Sequence, residues 1–195
     1  MRNPFGARVD VMVQRYGTPD CYRMQSIDSG SRFSEDDAAT VVRICNEPLV
    51  WRFLFRDRLG GRRYAEHDVL DFLDWARKGW ESGEHMIFLL RDPLGHIGAC
   101  IDVGRLDESG EALIGYWASA HHRGVMTNAV ERLASMAEAA GYLKLVALVE
   151  RENVRSIAVV RRAGFSLLGW QEQPVTLLDK SLGTTIRFHR YERAL

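Results

Sequence analysis

After one short alternating stretch, apolar positions along the chain repeat at a helical spacing, then in strand-like runs, then in alternating blocks of both. Tyr22, Met24 and Ser26 alternate with Arg23 and Gln25, which predicts a strand over residues 21–27. Ser34 stands before Glu35, Asp36 and Asp37, an N-cap followed by acids that suit the positive end of a helix. That helix carries Ala38, Val41, Val42 and Cys45 on one face and stops near Pro48. Leu49 to Phe55 forms a second apolar piece, ended by a basic, glycine-containing stretch over 56–63. Val69, Leu70, Leu73 and Ala76 mark a further helix, which also bears Trp75 and Trp80.

The middle changes period. Met86–Leu90 and His96–Val103 read as strands joined by the turn Asp92-Pro93-Leu94-Gly95. Asp107–Gly110 is another turn and Glu111–Ala118 a third strand. After Gly124 a stripe of Val125, Ala129, Leu133, Met136 and Ala140 predicts a helix, followed by a strand (Leu143–Val149) and a helix (Val154–Arg162). A strand from Phe165 and another over Thr184–Tyr191, joined through 179–183, complete the chain. The pattern predicts an α/β (α+β) fold: one domain over 21–195, preceded by an arm over 1–20, with a mixed, mostly antiparallel central sheet.

The 195 residues suffice for one full core, and the formal net charge of zero leaves no field that draws the protein to nucleic acid or an anionic membrane. Cys21, Cys45 and Cys100 are odd in number and widely spaced, which gives no disulfide framework. No apolar run reaches a membrane span and no signal segment opens the sequence, so a cytoplasmic protein is expected. No metal site is expected either: His121 and His122 are adjacent, their side chains diverge, and no third ligand is suitably spaced.

Chemistry concentrates between Ile114 and Phe165. His121, His122 and Arg123 precede Gly124, and Val125, Met126, Thr127 and Asn128 begin a helix. The first N–H groups of a helix lack internal partners, so this is a place for a phosphate; it is equally the sequence of an ordinary glycine turn. Asn153 is a natural N-cap, and Ser156 lies near the same helix mouth, where its hydroxyl is either solvated or poised to give a proton to a departing anion. Tyr116 and Trp117 are first of all core or rim aromatics.

The order of these pieces resembles the GNAT superfamily of acetyl-coenzyme A-dependent N-acetyltransferases, and within it the branch that includes the RimJ and RimL ribosomal-protein enzymes. Ile114-Gly115-Tyr116-Trp117 resembles that branch's fourth strand, Val125-Met126-Thr127-Asn128-Ala129 the start of its pyrophosphate-binding helix, and Glu152-Asn153-Val154-Arg155-Ser156 with Ala163-Gly164-Phe165 its next helix. Three departures stand out. His121 and Met126 replace the usual first and last residues of the pyrophosphate loop, which is also short. Val160 stands where many members carry a tyrosine, and Leu113 where the branch often has Glu.

The resemblance implies helices on both sheet faces and a splayed strand pair ending at Ala118 and Val149 that holds acyl-CoA. Trp117, Ala118, residues 121–127, Asn153 and Ser156 would bind acetyl-CoA, with a strand N–H near Trp117 or Ala118 polarising the thioester carbonyl. Ser156 would protonate the leaving sulfur and Asn153 hold the pantetheine arm. Glu150 is the first candidate base, with His121, Glu111 and Asp102 behind it, and Trp51 and Arg52 line the acceptor side. The implied reaction is direct attack by a primary amine, of a protein N-terminus or a small molecule, in a monomer or homodimer. The alternative is a GNAT-like module that binds acyl-CoA weakly and serves as a sensor or interaction domain. A nucleotide-phosphate site at Gly124 is disfavoured because no Gly-Lys-Ser/Thr follows.

Overall fold

Strand β1 (Asp10–Gln14) pairs antiparallel with β2 (Cys21–Ser26), so the expected N-terminal arm contributes a strand to the sheet. Then follow α1 (Glu35–Cys45), a short α2 (Pro48–Val50) that runs into a π-helical turn over Trp51–Phe55, and α3 (Glu66–Ser82). The meander is β3 (His85–Arg91), β4 (Ile97–Arg105) and β5 (Glu111–Ala118). Helix α4 (Met126–Ala139), β6 (Lys144–Glu150), α5 (Val154–Arg162), β7 (Ser166–Leu177) and β8 (Lys180–Ala194) complete this computed structural model. The structure describes residues 3–6, 8–106, 109–177 and 180–195, and only the backbone between 173 and 185. The expected turns at 107–110 and 179–183 fall partly outside the described residues; residues 180–183 themselves belong to β8.

The eight strands form one sheet in the order β1-β2-β3-β4-β5-β6-β8-β7, antiparallel at every junction except β5–β6. Strand alternation gives each face its own core. Met86, Phe88, Leu90, Ile101, Val103, Ala147 and Tyr191 pack with α4 and α5 through Val130, Leu133 and Val160. Ile87, Leu89, Cys100 and Trp117 pack on the opposite face with α1 and α3 through Val41, Ile44, Val69 and Leu73.

Local chemistry sets the helix ends. Ser34 Oγ accepts the Asp37 N–H at 3.1 Å while Asp37 accepts the Ser34 N–H at 3.2 Å, a closed capping box worth about 1 kcal/mol. The same Asp37 holds Arg91 of β3 at 2.6 Å, tying the helix start to the sheet. Helix α3 ends at Gly83, whose φ of +74° is the left-handed stop. Leu70, read from the sequence as part of α3's buried stripe, faces solvent, and Trp75 is half exposed.

One irregularity opens the sheet. The parallel ladder joins Glu111–Ile114 to Lys144–Ala147 and then stops. Strand β5 continues to Ala118 on β4, and β6 continues to Glu150 on β8. Beyond Ile114 and Ala147 the two strands part, and a V-shaped gap opens in the centre of the sheet.

Candidate active site

Register decides which β5 groups face the gap. Ser119 N–H donates to Gly98 O of β4 at 2.9 Å. N–H groups alternate sides in an antiparallel ladder, so Trp117 N–H is committed to β4 while Ala118 and Tyr116 point their N–H groups at the gap. Of the two expected donors, Ala118 is the one the geometry leaves open. The Trp117 ring is buried in the α1/α3 core.

The loop after β5 is held at several points. Glu47, between α1 and α2, accepts both Ser119 Oγ at 2.6 Å and Ala120 N–H at 2.7 Å. A 3₁₀ turn over Ala120–His122 follows, with His121 exposed. His122 turns inward instead of facing the loop's outer side. Its ring covers Gly98, where an added Cβ would lie 2.6 Å from Cγ, and its Nδ1 meets Tyr22 Oη at 2.7 Å. Burial pushes its pKa down, so it stays neutral and turned inward. Arg123 remains exposed and is the loop's cation.

Gly124 has φ +92°, a conformation other residues resist, and a Cβ there would stand 3.3 Å from Tyr16 O. The end of β1 grips this turn: Tyr16 N–H donates to Gly124 O at 2.9 Å, Arg15 Nε to Arg123 O at 2.8 Å, and Asn128 Nδ2 to Gln14 O at 2.7 Å. With those carbonyls engaged, α4 begins at Val125 without a side-chain cap, and Ala129 N–H is the first to bond back, to Val125 O. Val125 and Met126 bury their side chains, so they and the half-buried Thr127 offer backbone N–H groups to an anion.

Across the gap, α5 is capped. Asn153 Oδ1 accepts Ser156 N–H at 3.2 Å, which fixes Ser156 in the first turn. Ser156 Oγ lies 2.7 Å from Tyr116 Oη, which also donates to Ser156 O at 3.2 Å. Burial pushes the Tyr116 phenol up to about 12, so the pair is two neutral hydroxyls at neutral pH. Val160, where many family members carry a tyrosine, is fully buried, and the phenol that meets Ser156 is that of Tyr116 on the facing strand.

On the α1/α3 side, Arg52 of the π turn pairs with Glu152 in the turn before α5, bringing the 48–55 segment over the gap. Trp51 is half-buried; its Nε1 donates to Arg62 O at 3.0 Å, and Arg63 stacks over its ring. Glu150 stands at the mouth, its pKa raised by burial and by Asp57, with Arg56 and Arg52 opposing. Glu111 sits at the closed end of the ladder, bound to Lys144 at 2.7 Å and Arg190 at 2.9 Å, away from the gap. Among the described residues no cluster of three or more His, Cys, Asp or Glu is placed to hold a metal, and no helix is long and apolar enough to cross a membrane.

An uncapped helix start beside a strand edge with free N–H groups fits a ligand that has an anionic end and an extended amide-bearing arm. Residues 31–166 match the family described as Acetyltransferase (GNAT) domain, and the chain belongs to that family, whose members draw the acetyl group from acetyl-CoA. The sequence matches no curated protein. Among solved structures it is similar to Mycobacterium smegmatis RimJ in complex with CoA-disulfide, with a TM-score of 0.75 and 16% identity over 100% of this chain and 90% of that one. It is also similar to RimL, the ribosomal L7/L12 alpha-N-protein acetyltransferase (TM-score 0.70, 16% identity, 96% of each chain). A third similar structure is the Microcin C7 self-immunity acetyltransferase MccE with acetyl-CoA and AMP (TM-score 0.68, 17% identity, 88% of this chain and 92% of that one).

Proposed function

We propose that this acetyltransferase moves the acetyl group of acetyl-CoA to a primary amine, of a protein N-terminus or a small molecule, by direct attack. The observation that carries this is the gap itself, which has an uncapped helix start at one end and a half-buried hydroxyl pair on one wall. The similar structures include an enzyme named for a protein N-terminal substrate and one solved with AMP, which supports both acceptor classes.

Acetyl-CoA supplies an activated thioester, and the chain's residues do the rest. The N–H groups of Val125, Met126 and Thr127, with Arg123 and the exposed His121 beside them, hold the pyrophosphate end. His122 serves through its backbone and its packing on Gly98. Ala118 N–H polarises the carbonyl, an oxyanion donor worth about 10²-fold in rate. Asn153 fixes the α5 start against the pantetheine arm. Ser156, backed by Tyr116, protonates the departing sulfur. Glu150 meets the incoming ammonium at the mouth, beneath the segment that carries Trp51 and Arg52. Holding both reactants in line supplies much of the remaining acceleration.

Calorimetric titration with acetyl-CoA, followed by thiol release across an amine panel, tests this reading. Binding plus amine-dependent release is the expected result. No binding at millimolar ligand would mark the chain instead as a non-catalytic GNAT-like module.

A further inference from the structure

One half-buried polar pair beside the gap has no part in the chemistry above. Register places Asp102 of β4 opposite Gly115 of β5, the first residue past the last parallel pair Ile114–Ala147. Asp102 Oδ1 lies 2.6 Å from where a Cβ on Gly115 would stand, so the carboxylate occupies the space the glycine leaves at the apex of the gap. Its neighbours Ile101 and Val103 are buried on the α4 side, which puts Asp102 on the α1/α3 side, opposite the Tyr116–Ser156 hydroxyls.

Behind it stands His85 of β3, with Nε2 3.2 Å from Asp102 Oδ2. That nitrogen is buried and has no aligned hydrogen bond, while its ring stacks on the half-exposed Trp75 at 4.0 Å. Two further glycines make room: a Cβ on Gly104 would lie 2.6 Å from His85 Nδ1, and one on Gly79 would lie 2.3 Å from His85 O. Both side chains keep partial access, His85 at 22% and Asp102 at 24% exposure. An ionisable pair in such a setting is poor value as a source of stability, since desolvation offsets its attraction. Its position explains it better: proton acceptor on one face of β5, hydroxyl donor on the other, gap between.

We infer that Asp102 takes the proton from the acceptor ammonium and that His85 orients it and relays that proton onward, so Asp102 rather than Glu150 is the base at the reacting carbon. This rests on the acetyl-transfer reading. One ammonium proton passes to the Asp102 carboxylate, and His85 Nε2, unprotonated in the tautomer with its hydrogen on Nδ1, accepts it from the facing Oδ2 after the carboxyl group turns. The freed lone pair of the amine forms the C–N bond at the acetyl carbon, and the C–S bond breaks. The sulfur takes the Ser156 hydroxyl proton, and the second nitrogen proton restores the Ser156–Tyr116 pair. One proton leaves through His85 to solvent, which balances the exchange of ammonium and thioester for amide and thiol.

The test compares Asp102→Asn, His85→Gln and Glu150→Gln on two acceptors: an alkylamine that is an ammonium at neutral pH, and an alkoxyamine that is already a free base. Asp102→Asn should lower kcat/KM for the alkylamine about 100-fold but for the alkoxyamine no more than about threefold, with acetyl-CoA affinity unchanged. His85→Gln should lower the alkylamine rate about tenfold with the same selectivity, whereas any loss from Glu150→Gln at the mouth should fall on both amines alike. Equal losses on both amines, or no loss, would overturn the assignment while leaving acetyl transfer intact. A native protein inactive on every amine would overturn both. If Asp102→Asn loses acetyl-CoA binding and so its fold, the amine selectivity of His85→Gln decides.

Discussion

Helices α4 and α5 begin on either side of the same gap, and they begin differently. Helix α4 is entered through Gly124 and Val125, neither of which has a side chain that can cap it, and its preceding carbonyls are held by β1. Helix α5 is entered through Asn153, which gives its own oxygen to the Ser156 N–H. Both ends carry the partial positive charge of a helix N-terminus. One leaves that charge open to a ligand, whereas the other spends it internally to fix a hydroxyl against Tyr116. Under the proposed function, the contrast separates binding from chemistry along one crevice.

Substitutions at the two starts should therefore fail in different ways. The largest effect is expected from Ser156→Ala, which should lower kcat by about 100-fold in a thiol-release assay, with acetyl-CoA affinity nearly intact. An unchanged kcat would remove Ser156 from the chemistry. Gly124→Val should act in the opposite sense, because its φ of +92° and the 3.3 Å approach to Tyr16 O both oppose a side chain. Calorimetry should show acetyl-CoA binding weakened about tenfold, equivalent to ~1.4 kcal/mol, with kcat at saturation little altered. Asn153→Ala should cost about 1 kcal/mol in denaturant unfolding, the usual loss of an N-cap, with a smaller effect on coenzyme binding than Gly124→Val.

The smallest effect concerns the loop's inward histidine. His122 has its pKa lowered by burial, so the unfolded chain binds its proton more readily than the folded one. Stability from this group is complete above the ordinary imidazole range and declines as pH falls through about 6.5 toward the folded value. His122→Phe should flatten that part of a urea-unfolding pH profile, and a profile identical to the native one would contradict the account.

Local signals made much of this legible. Alternation marked β2, short apolar runs bounded by turns and helices marked β3 to β6, Ser34 and Asn153 marked their helix starts, and Gly124 marked a turn that glycine favours. Strand β1 escaped because just one of its five residues, Val13, is fully buried, which leaves little alternation to read. The loop's supports escaped for another reason: Glu47 meets Ser119, Tyr22 meets His122, and Arg15 meets Arg123, and the chain gives no local sign of pairings made across the sheet. Nothing local in His121-His122-Arg123 shows that packing on Gly98 turns the His122 ring inward. Asp102 was legible as a carboxylate near a strand middle, but its place at the apex needed the register against Gly115.

The grip of β1 on the Gly124 turn couples a sheet edge to the proposed coenzyme site. Thermodynamic reciprocity makes that coupling run both ways. On the proposed coenzyme site, whatever strips Gln14, Arg15 and Tyr16 from the turn should weaken coenzyme binding, and coenzyme bound there should protect the outermost strand by the same free energy. The margin of the fold thereby becomes a reporter of what its centre has bound.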